Sequence, residues 1–208
     1  MSLSFLESIK KNENIKEYSF ESSTFNFDND GRPFIELISG EKIYGLANDK
    51  SKINQYKRNG YNNISLEEYT IRENFKARFL KEKLTKKYTC KPGDTIVEVG
   101  AYLGYHSFRF ANLLKGKGSL YAIEMLPEIH EILKLNIECN FPNLAHAICA
   151  TIGINEKEIV DAFIGGSQAN GLRKDVIEKG KRKAQNRKLL TRRLDNLLSE
   201  LIPNDINL

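Results

Sequence analysis

The stretch from residue 93 to residue 149 constrains the fold more than any other part of the chain. It opens on Gly93-Asp94, continues as the short apolar run Thr95-Ile-Val-Glu-Val99, and then enters a glycine-bounded loop, Gly100-Ala-Tyr-Leu-Gly104. Residues 105–115 carry Phe108, Ala111, Leu113 and Leu114 at helical spacing, and Gly116 and Gly118 end that helix. A second apolar run, Ser119-Leu-Tyr-Ala-Ile123, closes on Glu124. Pro127 opens a second helix, where a missing N–H is no loss in the first turn. Ile129, Ile132, Leu133, Leu135 and Ile137 supply its apolar positions, and Asn140 with Pro142-Asn143 ends it. Ala145-His-Ala-Ile-Cys149 is a third strand. Strands and helices alternating through short loops specify an α/β fold with a parallel sheet and right-handed crossovers.

Sheets of this kind bind ligands at the carboxyl ends of their strands. That rule selects Glu98, Gly100, Ala101, Tyr102 and Gly104 around the first loop. Glycines let a backbone come close to a ligand, and the helix that follows offers free N–H groups. Glu124, with Met125 after it, ends the next strand 24 residues beyond Gly100. A carboxylate there can accept both hydroxyl protons of a ribose. The pattern describes a pocket for a nucleoside-containing cofactor. A dinucleotide site wants G-x-G-x-x-G, whereas this loop reads G-A-Y-L-G. Glu98, two positions before the first glycine, would repel a pyrophosphate and suits the cationic amino group of S-adenosylmethionine. The residues therefore favour S-adenosylmethionine over NAD. Tyr105 and His106 are read as packing residues of the first helical turn.

The run Gly93-Asp-Thr-Ile-Val-Glu-Val-Gly-Ala-Tyr-Leu-Gly-Tyr-His-Ser107 resembles the opening of FkbM-type methyltransferases, with their "pGD…DVGANIGYyt" pattern. Tyr121-Ala-Ile-Glu-Met-Leu-Pro-Glu128 is similar to that family's "YAFEPnPe", Leu133-Lys-Leu-Asn-Ile137 to its following helix, and Thr191-Arg-Arg-Leu-Asp-Asn-Leu-Leu198 to its "tLDdLl". The resemblance covers residues 93–208. It implies a Rossmann-like class I methyltransferase sheet, S-adenosylmethionine as cofactor, and O-methylation of a small molecule or glycan. Glu98 stands where the family usually has Asp, Tyr102 where it has Asn, and Met125-Leu126 where it has Pro-Asn. The resemblance also implies a further strand after Leu208, carrying an acidic residue of the active site. The expectation is thus a partial sheet in a chain that is truncated, frameshifted or completed by a partner, and its catalytic residues stay unassigned.

Before this region, Phe25 and Phe27 alternate with polar residues, Asn29-Asp-Gly31 is a turn signal, and Phe34–Ile38 and Ile43–Leu46 are two further strand patterns around Ser39-Gly40. Together they predict an antiparallel β meander with a small core from Phe25, Phe27 and Phe34. Residues 48–63 read as a linker. Ser65 with Glu68 forms a capping box for a helix with Leu66, Tyr69, Phe75, Phe79, Leu80 and Leu84 on one stripe and lysines at its end. The expected division is residues 1–63 for meander and linker, and 64–208 for the sheet domain. In the tail, 158–164 reads as one or two hairpin strands, the basic run as a loop or short helix, and 194–201 as a helical turn.

That basic run, residues 173–193, holds ten Lys or Arg against Asp175 and Glu178. It is +8, so the rest of the chain is −3 within the total of +5. Such a run suits phosphate-rich nucleic acid or an anionic lipid surface, and an RNA methyltransferase is one rival reading. No aromatic residue occurs after Leu172 to stack on a base, so a solvated loop is preferred. A second rival is a non-catalytic remnant that keeps the pocket alone. Cys90, Cys139 and Cys149 form no C-x-x-C pair, which argues against a zinc site or disulfide framework. No stretch approaches the roughly 18 apolar residues of a membrane span. The N-terminus has no apolar core of signal-peptide length, so a cytoplasmic protein is expected.

Overall fold

The computed structural model describes residues 23–37, 40–46, 65–75, 90–164, 170–172 and 185–202. The chain divides into two compact units, Met1–Ile148 and Cys149–Leu208. The first unit holds β1 (Thr24–Phe27), β2 (Pro33–Glu36), β3 (Lys42–Tyr44), α1 (Leu66–Phe75), β4 (Thr95–Val99), α2 (Tyr105–Leu114), β5 (Ser119–Glu124), α3 (Pro127–Glu138) and β6 (Ala145–Cys149), whose last residue is the first of the second unit.

β1, β2 and β3 form the expected antiparallel meander. Its core keeps Phe34 of the expected aromatic residues but not Phe27. Phe34, Ile35, Leu37, Ile43 and Tyr44 are buried, whereas Phe27 is 54% exposed and packs edge-on against Phe25. α1 packs on β2 and α3 on β3, while β1 is left largely exposed, so its alternation does not lead into a shared interior. Ser65 caps α1 as expected, its Oγ accepting the Glu68 N–H at 3.1 Å. Arg72 donates to Glu68 and to the side chain and carbonyl of Ser23, which ties the helix to the start of the meander. The apolar and lysine positions expected beyond residue 75 of this helix lie outside the described residues.

β4, β5 and β6 form a three-stranded parallel sheet in that order. β4 pairs with β5 from Thr95↔Ser119 to Val99↔Ile123. Among the described residues β4 has a strand partner on one side only. Leu114, Leu120, Leu133 and Ile137 are fully buried between sheet and helices. Each contributes about 1.5–3 kcal/mol by leaving water. Phe108 of α2 meets Phe141 edge-on at 4.8 Å, joining α2 to the turn before β6. The described architecture is mixed α/β and compatible with a partial Rossmann-like fold.

The second unit holds β7 (Thr151–Ile152), β8 (Ile159–Ile164), β9 (Asn170–Gly171), β10 (Gln185–Arg192) and α4 (Leu194–Leu201). Its sheet has the order β7-β10-β8-β9, with β10 parallel to β7 and antiparallel to β8. The end of the basic run is therefore a strand and not the expected loop or short helix. The cause is cross-strand pairing: Lys188 lies opposite Asp161 in register and bonds it at 2.6 Å, while Leu189 and Leu190 face Val160 and Ile159. Residues 173–184 of the run lie outside the described residues. Thr191, fully buried, fixes the return loop by donating to the Asn155 carbonyl at 2.7 Å and accepting the Glu158 N–H at 3.1 Å.

Candidate functional site

The carboxyl ends of β4 and β5 are neighbours, and the loop Gly100–Gly104 crosses between them. The N–H groups of Gly100 and Ala101 both donate to the Ile123 carbonyl at 2.9 Å, which pins the loop to β5. Tyr102 then turns through a left-handed backbone, φ 55°. This is a conformation that a bulky residue seldom adopts, and it places strain in the loop. It aims the Tyr102 N–H at Oε2 of Glu124, at 3.0 Å. The other carboxylate oxygen accepts the Leu126 N–H at 3.0 Å. Glu124 and the glycine loop, selected separately in the sequence, thus meet through one carboxylate.

Glu124 is only 5% exposed. Burial raises its pKa, and the N–H groups of Leu126, Tyr102 and Met125 act in the opposite direction. A carboxylate has about four acceptor positions, so the Leu126, Tyr102 and Met125 N–H groups leave about one for a hydroxyl donor from a ligand. Met125, which follows it, is half-buried.

The two glycines have different physical causes. At Gly100, φ is 81° and a Cβ would meet nothing within 4 Å, so the backbone borders open space. At Gly104, φ is 82° and a Cβ would lie 2.7 Å from Leu133 Cδ1 and 3.2 Å from Ile137 Cγ2. Gly104 is needed for α2 to start against α3, and Gly100 leaves the approach clear. Gly104 also begins α2 with no side-chain cap.

Glu98 points to α2, where Ser107 donates its hydroxyl to Oε2 at 2.5 Å. Burial pushes the Glu98 carboxyl up to about 7, against the lowering effect of the Ser107 bond. Ser107 was not singled out from the sequence, although it lies in the first turn after the loop. Asn136 was also missed. It is buried on α3 and donates to the Leu103 carbonyl at 2.7 Å, inside the loop.

In the second unit, Gly153, Ile154, Arg193, Leu194, Asp195 and Leu198 line a groove of about 410 Å³ that includes none of the sequence-selected residues. Three of the cations described there have anionic partners: Lys188 with Asp161, Arg192 with Glu156 and Glu200, Arg193 with Asp195. That pairing weakens the case for a phosphate-binding strand. Among the described residues no helix is long and apolar enough to cross a membrane.

No family profile matches the chain. Two proteins of known description resemble parts of it. The protein-L-isoaspartate O-methyltransferase of Pyrococcus horikoshii is 32% identical over 90 residues, 42% of this chain and 40% of that protein. The protein-L-isoaspartate O-methyltransferase of Aeropyrum pernix is 40% identical over 48 residues, 23% of this chain and 18% of that protein. The matches span less than half the length of either relative. They support a general likeness to methyltransferases.

Proposed function

We propose that residues 93–149 form the cofactor half of a class I S-adenosylmethionine-dependent methyltransferase of the FkbM type, acting on an oxygen of a small molecule or glycan. The observation that carries this reading is the shared carboxylate of Glu124, held at the end of β5 by the Tyr102 N–H of the loop after β4. The partial likeness to two O-methyltransferases favours oxygen as the acceptor atom.

The residues fit the cofactor chemically. Glu124 keeps acceptor capacity for a ribose hydroxyl. Gly100 leaves open backbone at the loop, and Ala101 holds that backbone on Ile123. Glu98, when ionised, is the counter-charge for the amino group of the methionine portion. Tyr102, whose N–H reaches Glu124, and Met125, which follows it in sequence, are both half-buried and would be the residues beside the base of the cofactor. When bound, S-adenosylmethionine supplies an electrophilic methyl group. The chain's own contribution is to hold reactant geometry, which is the larger part of such a transfer.

Thermal unfolding tests this reading. S-adenosylhomocysteine at about a hundred times its dissociation constant should stabilise the chain by about 2.7 kcal/mol, and NAD should not. Glu124→Gln, which removes an acceptor and adds a donor beside two N–H groups, should weaken the effect at least about tenfold in ligand concentration. An equal response to NAD, or an unchanged response in the variant, would remove the basis for the assignment.

A further inference from the structure

We propose that Asn136 is a positioning residue for the glycine loop, and that through it the docking of the β meander and the binding of cofactor form one linked equilibrium. The proposal deepens the methyltransferase reading and rests on it for the identity of the ligand.

Asn136 lies on α3 and is 1% exposed. Its Oδ1 accepts the Tyr44 N–H at 2.6 Å, and its Nδ2 donates to the Tyr44 carbonyl at 3.0 Å and to the Leu103 carbonyl at 2.7 Å. Both amide protons and an oxygen lone pair are engaged. One turn later, Asn140 reads Lys42 in the same way, accepting its N–H at 2.9 Å and donating to its carbonyl at 2.8 Å.

The spacing explains why this works. Residues i and i+4 of a helix rise about 6 Å, and residues i and i+2 of a strand advance about 6.6 Å. Lys42 and Tyr44 present their main-chain groups to the same edge of β3. β2 takes the other edge, pairing Phe34↔Tyr44 and Glu36↔Lys42. The two amides therefore act as a surrogate strand that closes the free edge of the meander.

The asparagines differ in one respect. Asn140 reaches only β3 and its own helix, at the Asn136 carbonyl. Asn136 continues into the loop. Leu103 sits between Tyr102 and Gly104, both left-handed. The Leu103–Gly104 peptide is held at its carbonyl by Asn136 and at its N–H by the Ala101 carbonyl at 2.9 Å, and the Tyr102 N–H, two peptides earlier in the same turn, is the one that holds Glu124. Loosening the meander thus removes two of the three bonds that orient the Asn136 amide. By reciprocity, a ligand that fixes the loop and Glu124 must tighten the meander.

Amide hydrogen exchange on the whole chain, with and without S-adenosylhomocysteine, tests this together with affinity. In the wild type the ligand should slow exchange at Tyr44 and Lys42, remote from the pocket, by about fivefold more than at Leu120 in the sheet core. Asn136→Ala should abolish that transfer and weaken affinity about tenfold, while Asn140→Ala, which loosens the meander and leaves the Leu103 bond in place, should lower the melting temperature and weaken affinity by a smaller factor, about threefold. If Asn136→Ala does not fold, Asn136→Asp keeps the acceptor for the Tyr44 N–H and loses the donations to the Tyr44 and Leu103 carbonyls, with the same expectation. Protection confined to the loop, or equal affinity losses in the Asn136 and Asn140 variants, overturns the linkage. If the folded wild type binds no S-adenosylhomocysteine, the ligand assignment fails separately. The positioning role is then read from ligand-free exchange at Gly104, which should quicken in the Asn136 variants alone, and an unchanged Gly104 overturns it.

Discussion

Replacing Glu98 with Gln removes a charge that the fold resists. The carboxyl is at about 7 in the folded chain against an ordinary 4.5, because burial penalises the ionised form more than the Ser107 hydroxyl helps it. A raised acid holds its proton in the folded state where the unfolded chain has released it. Its stabilising contribution is therefore complete below about pH 4.5 and is lost as pH rises through about 7. At about 1.4 kcal/mol per unit, the shift amounts to about 3 kcal/mol between those limits. Gln keeps the size and an oxygen for Ser107 and does not titrate. Urea unfolding followed by circular dichroism from pH 4.5 to 8.5 gives the difference between variant and wild type. Glu98→Gln should gain on the wild type by about 3 kcal/mol across that range, with most of the change between pH 5 and 7.5. A difference that stays constant with pH would mean that Glu98 is ionised at no cost, and would refute the burial argument.

Two other outcomes follow from the same geometry. If Glu98 is the counter-charge of the cofactor's amino group, it must ionise on binding; S-adenosylhomocysteine affinity should rise by about tenfold from pH 5.5 to 7, and Glu98→Gln should lose that part of the dependence, as read by titration calorimetry. Gly104→Ala should destabilise the chain by about 2–3 kcal/mol in thermal unfolding, since its Cβ meets Leu133 and Ile137 at a positive φ, whereas Gly100→Ala should cost about 1 kcal/mol and act mainly on ligand affinity. Equal effects of the two alanines on both readouts would contradict the separate roles given to these glycines.

The parts of the fold legible in the sequence are those specified locally. β6 spans the expected Ala145–Cys149, and the glycine loop falls between β4 and α2, because short apolar runs bounded by Gly, Pro and Asn leave few alternatives. The Ser65–Glu68 cap was legible for the same reason. What escaped depends on contacts distant in sequence. Phe27 has strand periodicity, but nothing local says that β1 is left largely exposed. The basic residues 185–192 hide a strand whose formation depends on Asp161 and Val160 of β8. Glu124 could be placed at a strand end, yet its bond to Tyr102 needs a left-handed tyrosine that no pattern announces. Asn136 did leave a signal. It interrupts the apolar face formed by Ile129, Leu133 and Ile137, and a buried amide must find partners. The sequence could show that partners exist, but Tyr44 and Leu103 are brought to it only by tertiary packing.

Calorimetric titration of the folded 208-residue chain with S-adenosylhomocysteine, beside Glu124→Gln, tests the central claim most directly. The account predicts one-to-one binding that the substitution weakens at least about tenfold. A chain shown by circular dichroism to be folded that takes up no S-adenosylhomocysteine, or that binds it equally well with Gln at position 124, would contradict the assignment of this loop and this carboxylate to the cofactor.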